Sequence, residues 1–167
     1  MDSRWVCAAL GLALVSTMVR SEPVADAGRT AAWIVQHANE YRREHGRKPV
    51  VRDEHLHAAA LEFARFMART GKYSHTADGS TAGERARRHG YRWCRISENI
   101  AYAFDSRGFR DEDLGRKVLE GWERSAGHRE NLLDRDVTHT AVAIARSERT
   151  GYYYAVQMFG RGCEGGN

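Results

Sequence analysis

Trp122-Glu123-Arg124-Ser125-Ala126-Gly127-His128-Arg129-Glu130-Asn131-Leu132-Leu133 is the stretch whose reading decides the fold. Just before it, Leu114, Val118 and Trp122 recur at helical spacing and share one apolar face. Asp111, Glu112 and Asp113 stand where a helix N-terminus favours negative charge. The helix they begin is expected to stop near Ser125. That serine can cap a second, short helix carrying His128 and Asn131.

Working towards the N-terminus, Thr30 is placed to cap a helix running to about His45, with Trp33, Ile34, His37, Ala38 and Tyr41 on one face. Gly46 stops it and Pro49 marks a loop. Asp53 can cap the next helix, where Leu56, Ala60, Phe63 and Met67 form the core stripe and Gly71 ends it. Thr81-Ala82-Gly83-Glu84 matches a capping box for a short helix ending by Gly90. The pairs Arg42-Arg43 and Arg87-Arg88 read as solvated helix faces.

Around Ile96 to Phe104 the period shortens towards a strand. Thr140 to Ala145 and Tyr152 to Phe159 are β-type runs joined by Ser147-Glu148-Arg149-Thr150-Gly151, an antiparallel hairpin. Both strands are apolar on both faces, so both faces of the sheet should be covered. Helices combined with a two-sided sheet predict an α+β fold, a three-layer α-β-α sandwich with a largely antiparallel central sheet.

Two more pieces complete the pattern: Ser74-His75, and Ser97-Glu98-Asn99-Ile100-Ala101. With the Gly127-His128 segment, and in this order, they resemble the CAP superfamily of cysteine-rich secretory, antigen-five and pathogenesis-related proteins, in its bacterial SCP-like form. The resemblance spans about Thr30 to Gly160 and implies the same sandwich. It also implies that His75, Glu98 and His128 line one cleft, with Ser125 and Asn131 beside them. The family's frequent second glutamate, three residues after the helix tryptophan, is Ser125 here. Glu123 follows Trp122 directly and points elsewhere on the helix.

No local metal motif brings these side chains together; only the fold can. Two neutral imidazoles, His75 and His128, with a carboxylate and an open position suit Zn2+ or another divalent ion. No cofactor is obligatory. Without a metal, Glu98 beside two histidines can serve as the catalytic acid or base. Asn99 and Asn131 are expected to satisfy buried backbone groups. His37 reads as a core histidine, and His55 and His57 as exposed. His139, just before a strand, can approach the cleft. Ser125 lacks a nucleophile-elbow context, since Glu123 stands where that motif needs glycine.

The chain has 167 residues with a net charge of +4, enough for one domain and a real core. No basic run with interleaved aromatics appears, so nucleic acid is not an expected partner. Arg4 followed by the apolar run Trp5 to Met18 reads as an export signal, too short for a comfortable membrane span. Residues 1–27 are assigned to signal and short linker, with cleavage after Ser21 or Ala27, and 28–167 to a single domain. The mature chain then has no transmembrane segment and is secreted or periplasmic. Cys7 leaves with the signal, and Cys94 and Cys163 invite one disulfide. Two functions fit. One is a monomeric binding protein for a small hydrophobic or cell-envelope ligand. The other is an extracytoplasmic hydrolase using Glu98 with His75 and His128.

Overall fold

A computed structural model describes residues 24–163. The apolar run Trp5 to Met18, Cys7 and the cleavage position after Ser21 lie outside them. The elements follow in the order α1 (Ala27–Glu44), β1 (Val51–Arg52), α2 (Glu54–Thr70), α3 (Ala82–Arg88), β2 (Trp93–Ala103), α4 (Asp111–Arg124), α5 (Ala126–Leu132), β3 (His139–Arg146) and β4 (Tyr153–Gly162). The sheet order is β1-β3-β4-β2. β4 runs antiparallel to both β2 and β3, and the short β1 pairs parallel to β3.

Alternation along β4 divides the core in two. Tyr153, Ala155 and Phe159 pack with Ile34, Leu114 and Trp122, beneath α1 and α4. Tyr154, Val156 and Met158 pack with Leu56, Phe63 and Met67, beneath α2. A strand presents successive side chains to opposite faces, so a central strand between helical layers must be apolar throughout. The architecture is the expected α+β three-layer sandwich with a mainly antiparallel sheet.

Local chemistry explains most element ends. Asp53 accepts from the Leu56 amide at the start of α2, and Gly71 closes that helix in the left-handed conformation with φ of 73°. Thr81 and Glu84 form the reciprocal capping box of α3. The hairpin β3–β4 closes through Ser147 N to Tyr152 O and Gly151 N to Ser147 O, both 2.8 Å.

Four readings are corrected. The cap of α1 is Asp26, which accepts from the Arg29 amide, whereas Thr30 lies buried one turn inside the helix. Ser125 takes the cap position of α5, but its side chain makes no capping hydrogen bond. Pro49 lies in a loop, as expected, and the short edge strand Val51–Arg52 just after it is held by Val51 N to Thr138 O. Arg42 is buried, not solvated, and its guanidinium donates to the carbonyls of Lys48, Leu132 and Asp134. His57 is half-buried with Nδ1 3.2 Å from the Val142 carbonyl, because α2 lies directly on β3.

Cys94 and Cys163 form a disulfide with Cα atoms 4.9 Å apart. β2 pairs along its length with β4, which brings the start of one beside the end of the other. The bond therefore fastens the strand that carries Glu98 to the last strand of the sheet.

Candidate functional site

Glu98 points from β2 towards the α3 side and is 2% exposed at its side chain. A carboxylate taken out of water needs partners for both oxygens. Oε1 accepts from His75 Nδ1 at 2.9 Å, and Oε2 accepts from Arg85 Nη2 at 2.8 Å. A carboxylate only accepts, so His75 donates from Nδ1, and in the neutral ring the lone pair then sits on Nε2. The His75 ring itself is half exposed.

Arg85 is the residue that sequence reading missed. Its side chain is fully buried in α3. Nη1 donates to Asp78 Oδ1 at 2.9 Å and to the Ser80 carbonyl at 2.7 Å. Nη2 donates to the His75 carbonyl at 3.0 Å as well as to Glu98. The guanidinium lies over the Phe63 ring, 3.6 Å from its centroid, which offers a favourable face to a desolvated cation. One buried cation thus fixes the loop that carries His75 and the carboxylate that orients its ring.

The opposite wall is built from amides. Asn99 Nδ2 donates to the His128 carbonyl at 3.1 Å. Asn131 Nδ2 donates to Asn99 Oδ1 at 2.8 Å and to the Glu98 carbonyl at 3.2 Å. These bonds dock α5 on β2 beside Glu98. Trp122 Nε1 donates to the Ile100 carbonyl at 3.0 Å, anchoring the end of α4 to the same strand. Burial, and then the charge of His75, push the His128 pKa below its ordinary 6.5. The shift favours the neutral form of the His128 ring.

Glu123 does not join this group. Burial and the carboxylates of Glu120 and Glu44 raise its pKa, which places it against α1. Ser125 sits at the junction of α4 and α5. His139 Nδ1 pairs with the Tyr91 hydroxyl at 2.9 Å. His37 Nδ1 lies 2.8 Å from the Trp33 carbonyl, and His55 Nδ1 lies 2.7 Å from the His89 carbonyl. Among the described residues, no group of three His, Cys, Asp or Glu side chains stands together as a metal cage.

The model of the cysteine-rich secretory protein (CAP) family matches residues 35–159. The chain belongs to that family. Among solved structures, this CAP domain is similar to an extracellular protein containing an SCP domain from Bacillus anthracis, at 26% identity and a TM-score of 0.68. That match covers 81% of this chain and 41% of the other. It is also similar to an outer surface protein of Borrelia burgdorferi, at 19% identity and a TM-score of 0.67, covering 77% and 89% of the two chains. A cysteine-rich secretory protein of Staphylococcus aureus aligns at 18% identity and a TM-score of 0.61, covering 85% and 42%. The CAP domain here thus spans about two fifths of the Bacillus and Staphylococcus chains. No curated protein sequence matches it. Among the described residues, no helix is long and apolar enough to cross a membrane.

Proposed function

We propose that this CAP domain is an exported binding protein whose cleft between His75 and His128 holds a ligand, with a divalent cation such as Zn2+ as its natural inorganic component. The observation that carries the reading is the double engagement of Glu98 by His75 and Arg85. A histidine whose Nδ1–H is held by a carboxylate presents a basic Nε2, the usual arrangement behind a metal ligand. His75 Nε2 and the neutral His128 ring are the donors; Glu98 orients and does not coordinate. A two-imidazole site leaves positions open, and a bound ion would there polarise a ligand oxygen or water.

The same geometry weighs against Glu98 as the acid or base of a hydrolase. Both of its oxygens are occupied and its side chain is out of reach of solvent. Replacing it with glutamine would also strip the buried Arg85 of one of its two carboxylate partners, leaving Asp78, so lost activity in that variant would have to be separated from lost stability. His75 and His128 are the informative positions.

Export is supported by the Cys94–Cys163 bond, since such bonds persist in oxidising compartments. The extracellular Bacillus protein is a consistent relative. Of the two cleavage positions, Ser21 is the better one. Cleavage after Ala27 would remove the Asp26 cap of α1 and Ala25, whose amide donates to the Tyr153 hydroxyl.

Calorimetric titration of Zn2+ into wild type and into His75→Ala/His128→Ala tests the cation, with circular dichroism as the fold control. Saturable uptake in wild type alone is expected. Equal uptake in both would move the metal elsewhere. Mass spectrometry of small molecules retained by natively exported protein tests the ligand.

A further inference from the structure

Away from the histidine cleft, four arginines border one cavity of about 440 Å3. Arg65 and Arg69 come from the exposed side of α2, Arg146 from the end of β3 and Arg149 from the turn that follows it. The single carboxylate lining it is Glu148, which is 92% exposed and 3.8 Å from Arg146. Among the described residues, Arg65, Arg69 and Arg149 form no ion pair. Like charges gathered without counter-charge raise the local potential and attract an anion.

Arg149 also borders a second cavity, of about 380 Å3, walled by Tyr73, Tyr102, Tyr152 and Tyr154. Tyr73 meets Tyr102 edge to face at 4.8 Å between centroids, and Tyr102 lies 5.9 Å from Tyr152. Tyr73 and Tyr102 remain 42% and 55% exposed. The Tyr73 hydroxyl donates to the Ile100 carbonyl at 3.0 Å, so its ring is fixed without a ligand. An ordered, hydroxyl-bearing aromatic groove costs little entropy to occupy.

We propose that the arginine pocket and the tyrosine groove form one binding site for an acidic oligosaccharide. The carboxylates of its uronate units meet Arg69, Arg149 and their neighbours, and the C–H faces of its sugar rings lie on Tyr102 and Tyr152. Guanidinium forks match carboxylates, and tyrosine offers an apolar body with a polar tip to a ring that is itself apolar on its faces and polar at its edge. The segregation of charge from rings favours this occupant. A single-stranded nucleic acid needs cations and stacking platforms interleaved along its backbone. An acyl chain would find hydroxyl-bearing walls in an open groove. The site involves neither His75 nor His128, so it stands or falls independently of the cleft.

The test is calorimetric titration of an oligogalacturonate, and of the matching neutral oligogalactoside, into the full chain. Wild type is expected to bind the charged sugar and not the neutral one. Arg69→Gln/Arg149→Gln should weaken binding at least about tenfold, a loss of about 1.4 kcal/mol. Tyr102→Ala should weaken it about fivefold, as expected for one lost ring platform. The exposed pair Arg43→Gln/Arg92→Gln removes the same charge elsewhere and should change affinity less than about twofold. Equal loss in that control pair would overturn the site in favour of diffuse basic attraction. Unchanged affinity in Tyr102→Ala would overturn its tyrosine half. Absent oligogalacturonate binding would overturn the proposal, as would tighter Arg69/Arg149-dependent capture of phosphatidylserine vesicles or oligothymidylate.

Discussion

The two walls that flank Glu98 are held by different physics. On the β2–α3 side, Glu98, Arg85 and Asp78 form a buried ionic cluster with the His75 loop wrapped around it. On the α5 side, His128 is held through its backbone by the neutral amides of Asn99 and Asn131. Ionic groups in a low-dielectric interior are expensive to break, whereas a neutral hydrogen bond exchanges for water at modest net cost. The contrast teaches that the His75 loop is held by charge, while α5 is held on β2 by neutral bonds that open at lower cost.

The sharpest way to break this comparison is Arg85→Leu. It should cost roughly 3–5 kcal/mol, since it strands the Glu98 carboxylate in the interior. Urea unfolding measures it. A cost equal to that of an amide deletion on the other wall would erase the distinction.

Cys94→Ser/Cys163→Ser comes next. The bond closes a separation of 69 residues and should contribute roughly 2–4 kcal/mol, the chain-entropy model setting the upper end. It fastens β2 to β4, so its loss should loosen the Glu98 wall first. Hydrogen exchange that speeds up in α5 ahead of β2 would contradict that order.

Asn131→Ala should cost less, about 1–2 kcal/mol for neutral hydrogen bonds to Asn99 and the Glu98 carbonyl. Its effect should appear as faster exchange of α5 amides with the His75 ring unmoved. A shifted His75 resonance would mean that the walls are coupled.

The smallest effect is in pH. The folded state holds His128 below its ordinary 6.5, by burial and then by His75, and His57 likewise, by burial and then by Arg52. The unfolded chain therefore takes up protons first on acidification. The stability these two rings contribute is full above about pH 6.5 and declines as pH falls through their folded values. His75→Gln removes one neighbouring charge and should raise the His128 pKa, while burial keeps it below 6.5. NMR titration reads both effects, and an unmoved His128 would place the rings too far apart to share a ligand.

Much of the fold was legible because periodicity is local. The caps Asp53 and Thr81, the stripe from Leu56 to Met67 and the hairpin around Gly151 each act within a few residues. Resemblance to the CAP family pointed to His75, Glu98 and His128. The buried arginines were not legible. Arg85 stands among Arg87 and Arg88 in a basic helix, and its partner Glu98 lies on another element. Arg42 likewise looks like half of an exposed pair until the fold brings the Leu132 carbonyl, at the end of α5, to it across 90 residues. No local rule distinguishes a solvated arginine from one whose carbonyls arrive from elsewhere in the chain. The misplacement of the α1 cap has a simpler cause: Asp26 and Thr30 both suit a cap, and one helical turn separates them.

The central claim is that Glu98 acts through His75, holding its proton on Nδ1 and leaving Nε2 to a ligand. Long-range 1H–15N correlation spectra of the imidazoles at pH 8 test it most directly, since protonated and unprotonated ring nitrogens are distinguishable there. The account predicts that His75 is neutral with its proton on Nδ1, and that added Zn2+ shifts its Nε2 together with a nitrogen of His128. A His75 ring protonated on Nε2, or one that tumbles between tautomers as in a free peptide, would contradict it.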